Sequence, residues 1–149
     1  MRRTYHWTQL FPAGRDLPIE HSYAPGTGGS IGTQLTTPGF RNDPAGKAYL
    51  ARYCTDAAFL AGIDRFVRAA GSADATLPEV RVQYVLTTGA NWRAPIGSFR
   101  LAVDKAAPEN PVSFCADGAR KISPTRFEVR HRNWRPTRDP DILIIKPRL

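Results

Sequence analysis

The chain has 149 residues, 42% of them hydrophobic and 10% aromatic, which is enough for one domain with a single buried core. With a charged fraction of 23%, this composition excludes a chain that is disordered throughout, while 12 Gly and 13 Pro indicate many turns. The formal net charge of +8 favours association with anionic partners, but it indicates neither a fold nor an activity.

The first part of the chain is predicted to be extended and loop-rich. Residues 4–11 alternate loosely in hydrophobicity, and residues 17–23 form a second extended run after the turn signal at Phe11-Pro12-Ala13-Gly14. We expect these two runs to form a β-hairpin. The glycine-rich residues 26–32 predict a flexible loop or the start of a strand, and residues 37–46 predict irregular structure.

One strong helix is predicted from about Thr55 to Ala70. Apolar residues recur there at spacings of three and four, at Phe59, Leu60, Ile63, Phe66, Val67 and Ala70. Thr55 is the expected N-cap, Gly71 suits a left-handed stop, and Asp64 and Arg68 have the i, i+4 spacing of an ion pair. The single apolar stripe indicates that this helix packs on a sheet.

The second half of the chain predicts short strands separated by turn residues. The strand-like runs are residues 80–86, 97–103, 112–115, 126–131 and 141–145. No helical pattern lies between them, which favours antiparallel pairing over βαβ units. Because residues 142–145 are apolar on both faces, we expect a central or helix-covered strand there. The predicted fold is a single α+β domain spanning residues 1–149, mainly an antiparallel sheet or sandwich with one packed helix.

Known catalytic and cofactor motifs are absent from the sequence. The glycines after Gly26 do not match the dinucleotide fingerprint, because Ile31 stands where its third glycine belongs. His6, His21 and His131 are far apart in sequence and the two cysteines lack metal-ligand spacing. We therefore expect no metal and no cofactor. No apolar run is long enough to span a bilayer, and the start of the chain has no apolar leader, so the sequence as given would stay in the cytoplasm.

A basic and aromatic stretch at residues 126–135 is the best candidate for a contact surface. Strand alternation predicts Phe127, Val129 and His131 on one face, and it predicts the opposite face to carry Arg126, Glu128, Arg130, Arg132 and Trp134. That second face fits a polyanion held by arginine forks and a stacking tryptophan. The alternative is a charged strand whose arginines prevent edge-to-edge aggregation.

Trp92 and Arg93 follow a strand end and form a second candidate contact. An exposed tryptophan in a loop is common where proteins contact carbohydrates or peptides. The alternative is a tryptophan that folds back as a lid on the core.

The cysteines allow two interpretations. A bond between Cys54 and Cys115 would close a loop of about 60 residues, whereas a reducing compartment would leave two buried thiols. A hydrolase-like enzyme that uses Cys54, or a histidine brought near carboxylates by folding, is an alternative to a binding module.

As a set, the following phrases resemble the bacterial family of unknown function DUF4424: Tyr5-His6-Trp7, Phe11-Pro12-Ala13-Gly14, His21-Ser22-Tyr23-Ala24-Pro25, Tyr53-Cys54, residues 84–92, residues 96–101, Ser113-Phe114-Cys115, residues 121–128 and Asp141-Ile142-Leu143. Members of that family are usually about twice as long and begin with an export signal, so this chain resembles the C-terminal part. The resemblance implies an exported, periplasmic or secreted protein, and with it a Cys54–Cys115 bond. It implies no activity. Our expectation is a non-enzymatic extracytoplasmic binding or structural module, with an anionic ligand or another protein as partner rather than nucleic acid.

Overall fold

A computed structural model of the protein describes residues 6–71 and 77–147. In chain order, the described elements are β1 (Gly28–Ser30), α1 (Pro44–Tyr53), α2 (Ala57–Ala70), β2 (Glu79–Gln83), β3 (Ile96–Asp104), β4 (Val112–Phe114), β5 (Arg120–Lys121), β6 (Arg126–Trp134) and β7 (Asp141–Ile145). Single 3-10 turns occupy Gln34–Thr36, Phe40–Asn42 and Thr87–Asn91. The α+β class is confirmed, with two described helices where the sequence predicted one.

The predicted helix is α2, and its two ends follow from local chemistry. The Asp56 side chain, rather than that of Thr55, caps the first turn by accepting a hydrogen bond of 2.7 Å from the Phe59 N–H. Gly71 ends the helix in the left-handed region with φ of 65°, as the sequence predicted. The predicted pairing of Asp64 with Arg68 was wrong, because the carboxylate of Asp64 accepts hydrogen bonds from Arg41 instead.

Helix α1 contradicts the prediction of irregular structure up to residue 46. The Asp43-Pro44 pair resembles a turn, but it is also a helix start, since Asp43 accepts a bond of 2.6 Å from the Gly46 N–H and Pro44 occupies the first turn. A Cβ at Gly46 would lie only 1.6 Å from the backbone oxygen of Phe40. Glycine here therefore permits α1 to lie against the preceding 3-10 turn.

The strands form two antiparallel sheets. The first has the order β1-β2-β7-β4 and the second has the order β3-β6-β5. Strands β3 and β6 pair along nearly their full lengths although β4 and β5 lie between them in sequence. All five predicted strand runs match observed strands to within three residues at each end. Strand β2 stops at Gln83 and leaves Tyr84 and Val85 exposed.

Three layers result, with β7 at the centre of the molecule. Leu143 and Ile145 face the helices and share a buried cluster with Ile63 of α2. Ile142 and Ile144 point the other way and pack with Val103 of the second sheet. Because successive residues of a strand point to opposite faces, an apolar run on β7 serves both cores. The prediction that residues 142–145 form a central, helix-covered strand is confirmed.

The predicted N-terminal hairpin is wrong for the described residues. No strand lies between residues 6 and 27, and Thr4 and Tyr5 lie outside the described part of the chain. Leu10 is 81% exposed and Phe11 is 68% exposed, so no layer covers these two apolar side chains. A two-stranded hairpin without such a layer is only marginally stable. In the described residues, neither helix is long and apolar enough to cross a membrane.

Candidate functional site

The outer face of the second sheet carries a patch that we call the arginine face. Strand register places Arg100 beside Arg130, Ser98 beside Arg132, and Asp104 beside Arg126, while Glu128 lies between Ala102 and Arg120. Five exposed arginines and two carboxylates thus share this face, on three strands: Arg100, Arg120, Arg126, Arg130, Arg132, Glu128 and Asp104.

Glu128 organises the centre of the arginine face. Its carboxylate accepts hydrogen bonds from Arg130 and from Arg100, and its side chain is only 13% exposed. The bonds from Arg130 and then from Arg100 lower the pKa of Glu128 to about 2. The carboxylate is therefore ionised over the whole physiological range and fixes the direction of two guanidinium groups.

The arginines of this face differ in how far their charge is neutralised. Arg126 donates a bond of 2.8 Å to Asp104 and so forms its own ion pair, which lowers the pKa of Asp104. Arg132 is exposed and forms no ion pair with any residue that the structure describes. The carboxylates of Glu128 and Asp104 are bound by other arginines. The face therefore keeps an excess of positive charge around Arg132.

Trp134 does not lie on the arginine face, so that part of the predicted alternation was wrong. Its ring centroid is 4.5 Å from that of Phe99 and 4.9 Å from that of His131, which both belong to the inner face of the sheet. Asn133, with a φ of 49°, interrupts the regular strand geometry just before Trp134. The tryptophan stacks inside the molecule, and His131 lies within this aromatic cluster.

A small cavity lies behind this aromatic cluster. Its walls include Phe99, His131, Trp134, Leu86, Pro140 and Cys115, and its volume is about 80 Å³. Sites for drug-sized ligands are several times larger, at roughly 300–1,000 Å³. This cavity has room for one small group only, and it is not the best candidate for a ligand site.

Trp92 projects from a loop that the rest of the fold holds in place. Its side chain is 63% exposed, so the interpretation of a lid on the core is wrong. The guanidinium of Arg135 donates to the backbone oxygens of Ala90, Trp92 and Arg93, at 2.8, 3.0 and 3.3 Å. The loop therefore remains fixed at the end of the sheet where Ile96 pairs with Trp134.

Asp139 fixes the other end of this loop. Its carboxylate accepts hydrogen bonds from the N–H groups of Leu86 and Thr87, at 2.7 and 2.8 Å. The bond from Thr87, followed by that from Leu86, lowers the pKa of Asp139. The partners are more than 50 residues away in the chain, so no local sequence pattern indicates this role of Asp139.

A second polar region lies between the helices and β2, and the sequence did not predict it. Arg52 pairs with Asp141 at 2.9 Å, and Gln83 donates to the same carboxylate. The hydroxyl of Tyr49 donates to Glu79 at 2.9 Å, and burial, followed by this carboxylate, raises the pKa of Tyr49.

This second region opens into a cleft of about 230 Å³ lined by Arg52, Tyr53, Arg81 and Gln83 together with Gly26 and Gly28. Arg81 lies 3.5 Å from the Glu79 carboxylate, so both arginines of the cleft have a carboxylate partner. The cleft consequently lacks the excess positive charge that the arginine face has.

The cysteines are bonded to each other, with Cys54 and Cys115 Cα atoms 5.0 Å apart. The hypothesis of a Cys54 nucleophile is wrong for this structure, because a disulfide sulfur has no thiolate to attack with. Among residues 6–71 and 77–147, no histidine is hydrogen-bonded or ion-paired to a carboxylate, and no three potential metal ligands lie together.

Comparison with known proteins identifies a family. The family described as Domain of unknown function (DUF4424) matches residues 1–143. No curated protein and no solved structure is significantly similar to the chain.

Proposed function

The chain belongs to the DUF4424 family, and on this premise we propose that it is a non-enzymatic extracytoplasmic binding module that holds an anionic polymer on its arginine face. The observation that carries the proposal is the composition of that face, with five exposed arginines against two carboxylates. Guanidinium groups match carboxylate, sulfate and phosphate oxygens in planar, paired hydrogen bonds.

The geometry of the face supports an extended ligand rather than a small one. The arginines lie on three neighbouring strands of one sheet, which are spaced about 4.8 Å apart. A polymer with regularly spaced anionic groups contacts several of them at once. The exposed Trp92 stands at the Arg132 end of the sheet, where its ring can stack on a sugar.

The disulfide supports the extracytoplasmic part of the proposal. Bonds such as Cys54–Cys115 form and persist in oxidising compartments, and they are rare in the reducing cytosol. The bond therefore favours a periplasmic or secreted location.

Binding to heparin, used as a model anionic glycan, tests the proposal. Affinity should fall steeply between about 50 and 200 mM salt, because each ion pair formed releases counterions. The double variant Arg130→Ala/Arg132→Ala should reduce the slope of log affinity against log salt by about one to two. Arg132→Ala alone should have a larger effect than Arg126→Ala, because Asp104 already neutralises Arg126.

A variant of equal charge separates this site from the net charge of the protein. Arg65 and Arg68 are exposed on α2, in the layer farthest from the arginine face. The double variant Arg65→Ala/Arg68→Ala loses the same two charges, and it should bind heparin almost as well as the native protein. Equal losses in the two double variants would mean that only the net charge of +8 attracts the polymer. No loss in either variant would contradict the proposed site. Duplex DNA of matched charge, assayed in parallel, should bind more weakly than heparin.

A further inference from the structure

Strand β3 leaves one edge of the second sheet open. It pairs with β6 on one side, and no strand within residues 6–71 and 77–147 pairs with its other side. Residues 96–104 also form no backbone hydrogen bond to any other described segment. An edge strand of this kind presents N–H and C=O groups that can bind one more strand.

Several of the usual protections of an edge are missing from β3. It is nine residues long, contains no proline, and has no residue with positive φ that would mark a bulge. Gly97, Ser98 and Ala102 are small and exposed, so no bulky side chain shields the backbone at these positions. From the charges along this edge, we infer that β3 pairs antiparallel with β3 of a second copy of the chain, with the two-fold axis at Ala102.

Strand geometry and charge together select this register. Along an edge strand, only every second residue directs its backbone N–H and C=O towards the open side. Two copies of the strand therefore pair residues of the same set, and the two-fold axis of the antiparallel pair must pass through a residue. An axis at Arg100 would place the Arg100 side chains of the two copies opposite each other. An axis at Leu101 would place Arg100 opposite the uncharged Ala102. An axis at Ala102 opposes Arg100 of each copy to Asp104 of the other, on both sides of the axis. Each group keeps its partner within the chain, Glu128 for Arg100 and Arg126 for Asp104, so the contact joins existing ion pairs. Opposite charges in directly facing positions stabilise a strand pair, and like charges destabilise it.

The resulting dimer has a continuous six-stranded sheet. A two-fold axis perpendicular to the sheet places the arginine faces of both copies on the same side. The dimer nevertheless stands independently of the proposed function, because its formation requires no anionic ligand.

Sedimentation velocity on the native protein tests the dimer. Interfaces below about 1,200 Å² are typical of weak association, and one strand pair is at that small end, so we expect a dissociation constant on the order of 100 µM. At about 0.15 M salt, the weight-average mass should rise from monomer towards dimer between about 10 µM and 1 mM. A chain that stays monomeric at 1 mM would overturn the inference, whether or not heparin binds.

Substitutions at the axis give the register. Ala102→Lys places two like charges opposite each other and should weaken the dimer about fivefold, whereas Ala102→Thr should strengthen it two- to fivefold through a cross-strand threonine pair. Ala102 faces Glu128 within the same chain, so the sheet tolerates a lysine there. Ser98→Lys adds the same charge outside the inferred strand pair and should leave the dimer almost unchanged. If Ser98→Lys weakens the dimer as much as Ala102→Lys does, the register is wrong.

Hydrogen exchange gives a second measurement that does not depend on any variant. The outward-facing amides of β3 should exchange more slowly at 1 mM protein than at 10 µM protein, while those of β7 should not change. Exchange of β3 that is independent of protein concentration would contradict the inference.

Discussion

Loss of the Cys54–Cys115 bond should destabilise the protein by about 4 kcal/mol. Cys54 follows the last turn of α1, and Cys115 follows β4 directly, so the bond joins the helix layer to an edge of the first sheet. The two residues are 61 positions apart, and a closed loop of this length reduces the entropy of the unfolded chain by an amount worth about 4 kcal/mol.

This free energy corresponds to a large decrease in the melting temperature. At about 2.1 cal/mol/K per residue, the unfolding entropy of 149 residues is about 0.31 kcal/mol/K. The double variant Cys54→Ser/Cys115→Ser should therefore melt about 13 °C lower than the native protein. In urea, with an m-value of about 2 kcal/mol/M, the midpoint should fall by about 2 M.

A second double variant separates the effect of the cross-link on stability from the effect of local backbone strain. Cys54 has a φ of 50°, a region that glycine occupies more easily than other residues. Cys54→Gly/Cys115→Ser should therefore be more stable than Cys54→Ser/Cys115→Ser, by about 0.5–1 kcal/mol. Calorimetry and urea unfolding followed by circular dichroism measure both differences.

Two results would refute this reasoning. Two titratable thiols in unfolded, unreduced native protein would show that the bond is absent. If the bond is present but its loss costs less than about 1 kcal/mol, the unfolded chain must already hold the two residues near each other, and the chain-entropy argument fails.

Three further predictions concern individual side chains. The pKa of Glu128 is lowered from 4.5 to about 2, so the stability that its carboxylate contributes should be lost as the pH falls from 4.5 to about 2. In that pH range, the urea midpoint of Glu128→Gln should depend less on pH than the urea midpoint of the native protein. Gly46→Ala should destabilise the fold by at least about 2 kcal/mol in the same urea assay, because the new methyl group meets the backbone oxygen of Phe40. The control Lys47→Ala, at the exposed neighbouring position, should have little effect. Arg135→Ala removes three hydrogen bonds to the Trp92 loop, so hydrogen exchange at residues 90–93 should accelerate, and unchanged exchange would contradict the role of Arg135.

Local patterns in the sequence were sufficient for several elements. The periodic apolar stripe of α2, the left-handed stop at Gly71 and the apolar run of β7 each depend on near neighbours, and all three predictions are confirmed. The family was also evident from short motifs spread along the chain, and the match over residues 1–143 confirms it.

The arginine face depends on strand pairing that local patterns do not predict. Alternation along β6 predicted that Arg126, Arg130 and Arg132 share a face, but Arg100 and Arg120 join them only through the pairing of separate strands. The register of β3 on β6 joins residues 22 or more positions apart, since its nearest pair is Asp104 with Arg126, and no short pattern encodes it.

Short motifs in the sequence were enough to identify the family. Local patterns were enough for the α+β class, the helix α2 and the central strand β7, because periodicity and capping act between residues a few positions apart. The folded structure was needed for the order of the strands, the inward turn of Trp134, the exposure of Trp92 and the sharing of Glu128 by two arginines. It also decided that residues 6–27 form no hairpin. These features depend on which layers bury a side chain and which distant groups pair with it, and both are properties of the assembled fold.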